Sequence, residues 1–263
     1  MSKPSFQAYL HHGQHMVKGW LLAGAPEAIV LLSIKQREEL CAGGVAEIGV
    51  HHGKLFILLY LLCQGNEAAV AVDLFSHQDL NVDGSGAGDL ARFKQNLRRH
   101  ADLSRLVIHE GDSTQLTSED LMELGRGPFR LISIDGGHTA AITASDLATC
   151  EGALADGGIV ILDDCFNGEW PGVIDGVHQY FSVPRAIVPF AIGANKTFFC
   201  HRPLAGRYAA TLKELDASAA EQEFLGYSVL CFTYRPRTLA GWFGKVDAFR
   251  FFRRVYHDAL SRV

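Results

Sequence analysis

The chain has 263 residues, of which 48% are hydrophobic, and this is enough for one domain with a buried core and additional segments. Its formal net charge of −5 at pH 7 lacks the positive excess that is typical of general nucleic-acid binders. The composition therefore predicts a globular, soluble protein, with no nucleic acid expected as a partner.

The cysteines and the apolar runs indicate the compartment. The six cysteines form no C-x-x-C pair, and several lie within apolar runs, where they behave as small hydrophobic residues. This usage predicts a reducing, cytoplasmic environment. The first 14 residues contain no apolar stretch of the signal-peptide type, and the most apolar run, 55–63, is far too short to cross a bilayer. We expect neither secretion nor a transmembrane segment.

The first two thirds of the chain predict a parallel α/β sheet. The segment 6–40 is expected to be mainly helical, and from residue 45 onward strand-like and helical runs alternate at the spacing of βα units. The strands are almost continuously apolar, which predicts that both faces of the sheet are covered. Strands are expected at 45–49, 68–73, 106–110, 129–134 and 158–162, with helices near 54–63, 89–100, 118–124 and 139–154.

The segment after residue 164 predicts a loop, a helix and a hairpin. Glycine and proline in 165–172 mark the loop, and a helix is expected near 173–181. The apolar runs 184–190 and 196–201 flank a turn, which predicts a hairpin that closes the sheet with an antiparallel strand.

The last 60 or so residues are less clearly patterned. The segment 205–223 is polar and helical in pattern, whereas 224–234 fits either a strand or a buried helix, and we leave that choice open. From residue 242, apolar positions at helical spacing oppose basic ones, which predicts an amphipathic helix. We expect this helix to dock on its own domain or on a partner subunit; the alternative is a basic helix at a membrane surface.

Two apolar strands end in carboxylates. Asp135 follows the strand 129–134, and Asp163 with Asp164 follows the strand 158–162. Three close carboxylates repel one another and resist burial, so they are expected where a cation binds or where one of them holds a proton. Oxygen ligands favour Mg²⁺ or Mn²⁺ over zinc. The alternative is that these acids only cap the segments that follow them.

The first strand leads into a glycine motif. Residues 47–53 read E-x-G-x-x-x-G rather than G-x-G-x-x-G, which weighs against a nicotinamide dinucleotide and favours a nucleoside ligand without phosphates. The adjacent His51 and His52 are interpreted as lining of this loop rather than as metal ligands.

Polar residues follow the next two strands as well. Asp73, about 20 residues beyond the glycine motif, could accept hydrogen bonds from both ribose hydroxyls. Asp112 and Ser113 could hold an adenine edge. Each of these features also has a purely structural interpretation, as a turn glycine or a helix cap.

The segment 45–201 resembles the class I S-adenosylmethionine-dependent methyltransferases, through E-I-G-V-H-H-G, A-V-A-V-D, E-G-D-S and G-G-I-V-I-L-D-D. I-D-G-G-H, followed by L-D-D and a P-G-V turn, is similar to the metal-dependent O-methyltransferases of the macrocin type, which methylate sugars on antibiotics. The resemblance implies a Rossmann-like, doubly wound, mostly parallel seven-stranded sheet with an antiparallel last strand. It divides the chain into a helical N-terminal extension (1–44), a methyltransferase domain (45–203) and a C-terminal extension (204–263).

The same resemblance implies S-adenosylmethionine and Mg²⁺, or Mn²⁺, as cofactors. His138 would be the general base; its alternatives are a metal ligand or a helix-start histidine bonded to the backbone. Trp170 could stack on a sugar or anchor its loop. The implied contacts are Glu47, Gly49 and Gly53 around the methionine part, Asp73 on the ribose, Asp112 and Ser113 near the adenine, and Asp135, Asp163 and Asp164 on the metal.

The expected activity is methylation of a hydroxyl group on a small molecule or a glycan, with a vicinal diol chelating the metal. Catechol-type methyltransferases are similar in layout, but a lysine commonly stands where His138 is and an asparagine where Asp164 is. A catechol or phenolic acceptor is one alternative, and a catalytically idle nucleoside-binding scaffold is another. The terminal extensions are candidates for a homo-oligomer contact.

Overall fold

The computed structural model describes residues 5–234. None of the helices in this part of the chain combines the length and the apolar character of a bilayer span. The helices are α1 (Phe6–His11), α2 (Ala25–Glu38), α3 (Lys54–Leu62), α4 (Leu90–Arg98), α5 (Ser118–Gly125), α6 (Ala140–Gly152), α7 (Pro171–Tyr180) and α8 (Ala205–Leu212).

The strands form a single mixed sheet. They are β1 (Gly44–Ile48), β2 (Ala69–Asp73), β3 (Leu106–Glu110), β4 (Phe129–Ile134), β5 (Leu154–Asp163), β6 (Ile187–Gly193), β7 (Lys196–His201), β8 (Ala220–Phe224) and β9 (Tyr227–Cys231). Their order across the sheet is β3-β2-β1-β4-β5-β7-β6-β9-β8. The first five strands in this order are parallel, and β7 runs antiparallel to β5.

Helices cover both faces of the sheet, as the apolar strands predicted. One core contains buried residues of α1 to α4 and α8, including Tyr9, Phe56 and Tyr208. The other core contains buried residues of α5, α6 and α7, including Leu147 and Val177. The predicted α/β architecture with a mostly parallel sheet is confirmed.

The expected number of seven strands is wrong. Within residues 5–234 the sheet has nine strands, because β8 and β9 form an antiparallel hairpin that extends the sheet beyond β6. The predicted hairpin of β6 and β7 exists, but it does not close the sheet. The pattern 205–223 is helical only over α8, and the segment left open, 224–234, contributes the strand β9. The amphipathic helix predicted from residue 242 lies outside the described residues.

The strand order reverses between β1 and β4, and this switch point is where doubly wound sheets bind their ligands. The chain approaches itself very closely there. A Cβ atom built on Gly49, just after β1, would lie 1.8 Å from the carbonyl oxygen of Asp135, just after β4. Gly49 also has a φ of +82°, which is a conformation that favours glycine. Only glycine therefore lets the two strand ends meet.

Candidate active site

A cleft opens beyond the carboxyl ends of β1, β2 and β4, at the edge of the sheet where α/β proteins bind their ligands. Several residues that the sequence singled out line it together: Gly49, Asp73, Asp112, Ser113 and Asp135. The loop between β2 and α4 forms another wall of the cleft, through Gln78, Leu80, Asn81, Val82, Ser85 and Gly86.

Glu47 lies on β1, two residues before Gly49 of the cleft. Its side chain is 2% exposed, and its Oε2 atom has no hydrogen-bond partner among the described residues. Burial raises the pKa of this carboxyl well above its usual range, and the nearby Asp135 raises it further. A buried acceptor without a partner is costly. Glu47 is therefore suited to receive a donor, such as an ammonium group, from a ligand.

Asp73 is held by the backbone at the end of β2. Its Oδ2 accepts a hydrogen bond from the His51 N–H at 2.7 Å, and its Oδ1 accepts one from the Phe75 N–H at 2.7 Å. A carboxylate has about four acceptor sites, so each oxygen retains capacity for a ligand hydroxyl. This arrangement fits a group that presents two adjacent hydroxyls.

Asp112 and Ser113 lie where a short 3-10 helix follows β3. The Asp112 carboxylate accepts hydrogen bonds from the Thr114 N–H at 2.9 Å and from its hydroxyl at 2.8 Å. The helix-cap interpretation of Asp112 is thus realised, while both residues also line the cleft.

Asp146 on α6 lies behind Ser113 and was not singled out by the sequence. Its side chain is 1% exposed. Burial raises the pKa of Asp146 to about 7, although the Ser113 hydroxyl beside it acts in the opposite direction. Between about pH 4 and 7 the folded chain keeps this proton while the unfolded chain has lost its own, so stability falls as the pH rises through that window.

We expect Asp146→Asn, which is neutral and similar in shape, to flatten this part of the pH–stability profile. Because each unit of pKa shift corresponds to about 1.4 kcal/mol, the variant should gain roughly 1 to 4 kcal/mol over the wild type at pH 8 and little at pH 4. Urea unfolding at both pH values measures this difference. The exposed Asp175→Asn is the matched control, and equal profiles for the two variants would contradict the expectation.

Three side chains near the cleft could hold a metal ion. Asp135, His138 and Asp164 each offer one ligand atom, and these three atoms lie within 4.8 Å of one another. We call these three residues the acid cluster. Burial raises the pKa of Asp135 to about 7, with a further increase from the Asp163 charge and a decrease from Lys196. Two carboxylates and an imidazole form a set of oxygen and nitrogen donors that suits divalent ions.

Asp164 turns into this cluster through an unusual backbone conformation. Its φ is +60°, a region that Asp adopts more readily than most residues. The amide groups of Asn195 and Asn167 donate to its Oδ1 at 2.8 and 2.7 Å. Although burial raises the pKa of Asp164, its hydrogen bonds, that from His138 foremost, outweigh burial and lower it to about 2. The carboxylate is therefore ionised and fixed.

Asp163, the neighbouring acid, points to a different partner. Asp163 on β5 and Lys196 on β7 are directly opposite in the antiparallel pair, and their side chains form a buried ion pair. The Asn195 side-chain amide donates to Asp163 Oδ1 at 2.9 Å. Burial alone would lower the pKa of Lys196, but the charges of Asp163 and Asp135 raise it above its usual value. The structure thus brings Asp135, His138 and Asp164 together and pairs Asp163 with an internal cation.

His138 is held between two acids and an aromatic ring. Its Nδ1 lies 2.9 Å from Asp83 Oδ2, and its Nε2 lies 3.2 Å from Asp164 Oδ2. Its ring stacks on Trp170, with centroids 4.2 Å apart. Burial acts to lower the pKa of His138, but the two carboxylates raise it above its usual value.

Two residues of this site, Asp83 and Lys196, were missed in the sequence. Asp83 lies in a glycine-rich turn and Lys196 at the start of an apolar strand. For Lys196 the available signal was its position at the edge of an apolar run, three residues after a glycine in a predicted hairpin.

His51 and His52 lie apart from the acid cluster. Their rings stack on each other, with centroids 3.8 Å apart, and Trp20 lies against His51. Burial lowers the pKa of His51 to about 4, and His52 lowers it further. Both histidines follow the glycine turn after β1 and are absent from the group of residues that could hold a metal, within the described part of the chain.

Several known proteins are similar to this chain in sequence or in fold. Residues 46–165 match the model of a family described as a methyltransferase domain. The O-methyltransferase NovP is 17% identical, with a TM-score of 0.55 over 68% of this chain and 80% of that chain. CalS11, a TDP-rhamnose 3'-O-methyltransferase of calicheamicin biosynthesis, is 18% identical, with a TM-score of 0.51 over 73% of this chain and 85% of that chain.

The methyltransferase MycE of the mycinamycin pathway, in complex with Mg, SAH and mycinamycin VI, is 19% identical. Its TM-score is 0.50, over 76% of this chain and 55% of that chain. No curated protein matches the sequence. At these identities the structural similarities establish the fold. Residues 46–165 match a methyltransferase domain, and the expected resemblance of this chain to the class I S-adenosylmethionine-dependent methyltransferases is confirmed.

Proposed function

We propose that this protein is an S-adenosylmethionine-dependent, divalent-metal-dependent O-methyltransferase that acts on a hydroxyl group of a small molecule or a sugar diol. One observation carries the proposal. Asp135 lines the cleft at the ends of the parallel strands and also belongs to the group of three side chains that could hold a metal. An acceptor oxygen held at that group would therefore be next to a methyl donor in the cleft.

The residues of the cleft fit S-adenosylmethionine, whose sulfonium supplies an already activated methyl group. Glu47, with its unpartnered Oε2, would receive the ammonium of the methionine part. Gly49, which has no side chain, would leave space for this part of the cofactor. Asp73 would accept the ribose hydroxyls through the free acceptor sites of its carboxylate. Gly53 would support the loop, while Asp112 and Ser113 would lie beside the adenine.

The acid cluster fits a divalent ion such as Mg²⁺ or Mn²⁺, which lowers the pKa of a hydroxyl bound to it. Asp135, His138 and Asp164 would hold the ion, which modifies the expectation that Asp163 is a ligand. Asp163 would instead keep Lys196 in place, and this pair would limit the negative charge that the ion must balance. The protein's remaining task is to hold the acceptor in line with the donor.

His138 is the candidate for proton removal as well as a candidate ligand. In the tautomer whose proton is on Nδ1, where Asp83 accepts it, Nε2 is the nitrogen that would serve either role, in place of its contact with Asp164. An imidazole titrates near neutrality and suits proton removal. Trp170, stacked on His138, anchors the ring, so the stack on a sugar face is the less supported of its two interpretations.

A sugar hydroxyl is the preferred acceptor. CalS11 is described as a TDP-rhamnose 3'-O-methyltransferase, and MycE was solved with Mg, SAH and mycinamycin VI. These similarities favour a glycan or glycoside acceptor by analogy of fold. The donor set of the cluster is equally compatible with the two oxygens of a catechol.

Calorimetric titration with S-adenosylhomocysteine is the first test of this function. We expect binding, and then methyl transfer to a panel of sugar diols, catechols and phenols that Mg²⁺ or Mn²⁺ stimulates and EDTA suppresses. Failure to bind S-adenosylhomocysteine would refute the proposal. Binding without transfer to any acceptor would favour the scaffold alternative, and transfer to phenols alone would favour the catechol alternative.

The Gly49→Ala variant is expected to lose S-adenosylhomocysteine binding by at least a hundredfold, on the order of 3 kcal/mol. The added Cβ would force Asp135 away and would strain a positive φ. Gly65→Ala is the matched control, because Gly65 also has a positive φ, of +49°, but no atom lies within 4 Å of the added Cβ. Near-equal affinities of the two folded variants, measured by calorimetry, would contradict the role of Gly49.

A further inference from the structure

The loop that connects β2 to α4, residues 74–89, lines the cofactor cleft and is held together by hydrogen bonds within it. The side-chain amide of Asn81 donates to Gln78 Oε1 at 3.0 Å and to the carbonyl oxygen of Ser85 at 2.6 Å. Gln78, Asn81 and Ser85 all line the cleft. This β2–α4 loop is therefore a preformed wall of the cofactor site.

Asp83, at the tip of this loop, makes its contacts across the site rather than into the cleft. Its Oδ2 accepts a hydrogen bond from the backbone N–H of His138 at 2.6 Å and lies 2.9 Å from the Nδ1 of the same residue. Its Oδ1 accepts from the Ser85 N–H at 2.9 Å. The side chains of Asp83 and His138 are 10% and 9% exposed, so the contact is largely shielded from water.

We infer that Asp83 is a positioning residue that fastens the β2–α4 loop over the cofactor and orients the imidazole of His138, so that cofactor binding and the alignment of His138 are coupled. This inference rests on the proposed function. The β2–α4 loop, which lines the cofactor cleft, would then also orient a side chain of the acid cluster.

The contact between Asp83 and His138 matters because it affects which nitrogen of the imidazole carries the proton. In a neutral ring whose proton stays on Nδ1, where Asp83 accepts it, the lone pair is on Nε2, which then no longer donates to Asp164. A carboxylate that fixes the tautomer of a histidine in this way supports the ring equally as a base or as a metal ligand. The Trp170 stack fixes the plane of the ring but not which nitrogen carries the proton.

The coupling is reciprocal and therefore testable from both ends. Among the described residues His138 does not line the cofactor cleft, so a direct contact gives no reason for it to affect cofactor affinity. If Asp83 joins it to the β2–α4 loop, removal of either partner must loosen the loop and weaken cofactor binding by a comparable factor.

The experiment is a double-mutant cycle on S-adenosylhomocysteine affinity, measured by calorimetry in EDTA with Asp83→Asn, His138→Ala and the combined variant. We expect each single variant to bind about three- to tenfold more weakly, and the combined variant to bind no more weakly than the weaker single one. Asp79→Asn removes the same charge from an exposed position of the same loop and should bind like the wild type. Circular dichroism and urea unfolding verify that each variant is folded.

Kinetics provide a second readout. Asp83→Asn is expected to lower kcat by roughly ten- to a hundredfold at saturating donor, in addition to raising the donor KM, whereas a loop that only covers the cofactor would change KM alone. Additive losses of affinity in the cycle, or an Asp83→Asn variant that behaves like Asp79→Asn, would overturn the inference. If the wild type binds no S-adenosylhomocysteine, the proposed function fails and the inference fails with it.

Discussion

Asp164→Asn is expected to abolish metal-stimulated methyl transfer, with a loss of at least about a hundredfold, while S-adenosylhomocysteine affinity stays within about threefold of the wild type. The reason is that Asp164 is the ionised member of the candidate metal group and does not line the cofactor cleft. A bound ion contributes several kcal/mol to such reactions, and about 1.4 kcal/mol is a factor of ten in rate. Calorimetric titration with Mn²⁺ and initial rates against metal concentration measure both effects.

The adjacent residue provides a sharp comparison. Asp163→Asn makes the same chemical change, but it removes the partner of the buried Lys196 rather than a ligand. We expect it to lower stability and to leave Mn²⁺ affinity much closer to that of the wild type, while the exposed Asp175→Asn changes neither. An Asp164→Asn variant that binds Mn²⁺ like the wild type would show that the cluster is not the metal site. Loss of Mn²⁺ affinity with Asp163→Asn alone would restore Asp163 as the ligand.

The parallel part of the fold was predictable because its signals are local. The strands β1 to β5 are largely apolar runs that end in, or are followed directly by, a polar or glycine residue. The helices between them have clear starts, such as Asp89, whose carboxylate caps α4. The β8–β9 hairpin was not predictable, because β8 is exposed along most of its length. Its pairing depends on β9 joining β6, a contact between segments that are distant in sequence.

The candidate site divides in the same way. Strand-end positions were predictable, since the carboxyl ends of parallel strands share one edge, and Gly49, Asp73 and Asp135 do line one cleft. The partners of Asp163 and His138 were not predictable, because they depend on the register of β5 with β7 and on the path of a loop. Register makes Lys196 the neighbour of Asp163, and the loop path brings Asp83 to His138. The metal and base roles of individual residues stay predictions.

Charge balance explains why Asp163, unlike the adjacent Asp164, is paired with a buried lysine. Glu47, Asp135 and Asp163 are all buried or nearly so, and each of the first two has a raised pKa because burial and neighbouring acids disfavour its charge. Lys196, 2% exposed, opposes this repulsion for both. An internal ammonium thus lets acids accumulate next to the cleft before any metal binds.

Lys196→Met should destabilise the folded protein by about 3 to 5 kcal/mol at pH 7.5, because the loss of one partner leaves a buried charge without compensation. The loss should shrink as the pH falls toward 5, since Asp135 and Glu47, whose pKa values are raised, can then take up protons. Urea unfolding in EDTA at both pH values measures the change. The partly exposed Lys35, whose surface ion pairs with Glu38 and Glu39 span 3.5 and 3.3 Å, provides the control: Lys35→Met should cost less than about 1 kcal/mol.

The double variant Lys196→Met with Asp163→Asn separates charge from packing. Replacement of both partners of a buried ion pair by neutral residues of similar volume is often close to neutral in stability, so the double variant should regain most of what Lys196→Met loses. If it is as unstable as the single variant, the aliphatic packing of Lys196 rather than its charge stabilises this edge of the sheet. Recovery in the double variant would identify Lys196 as the internal cation beside Asp163.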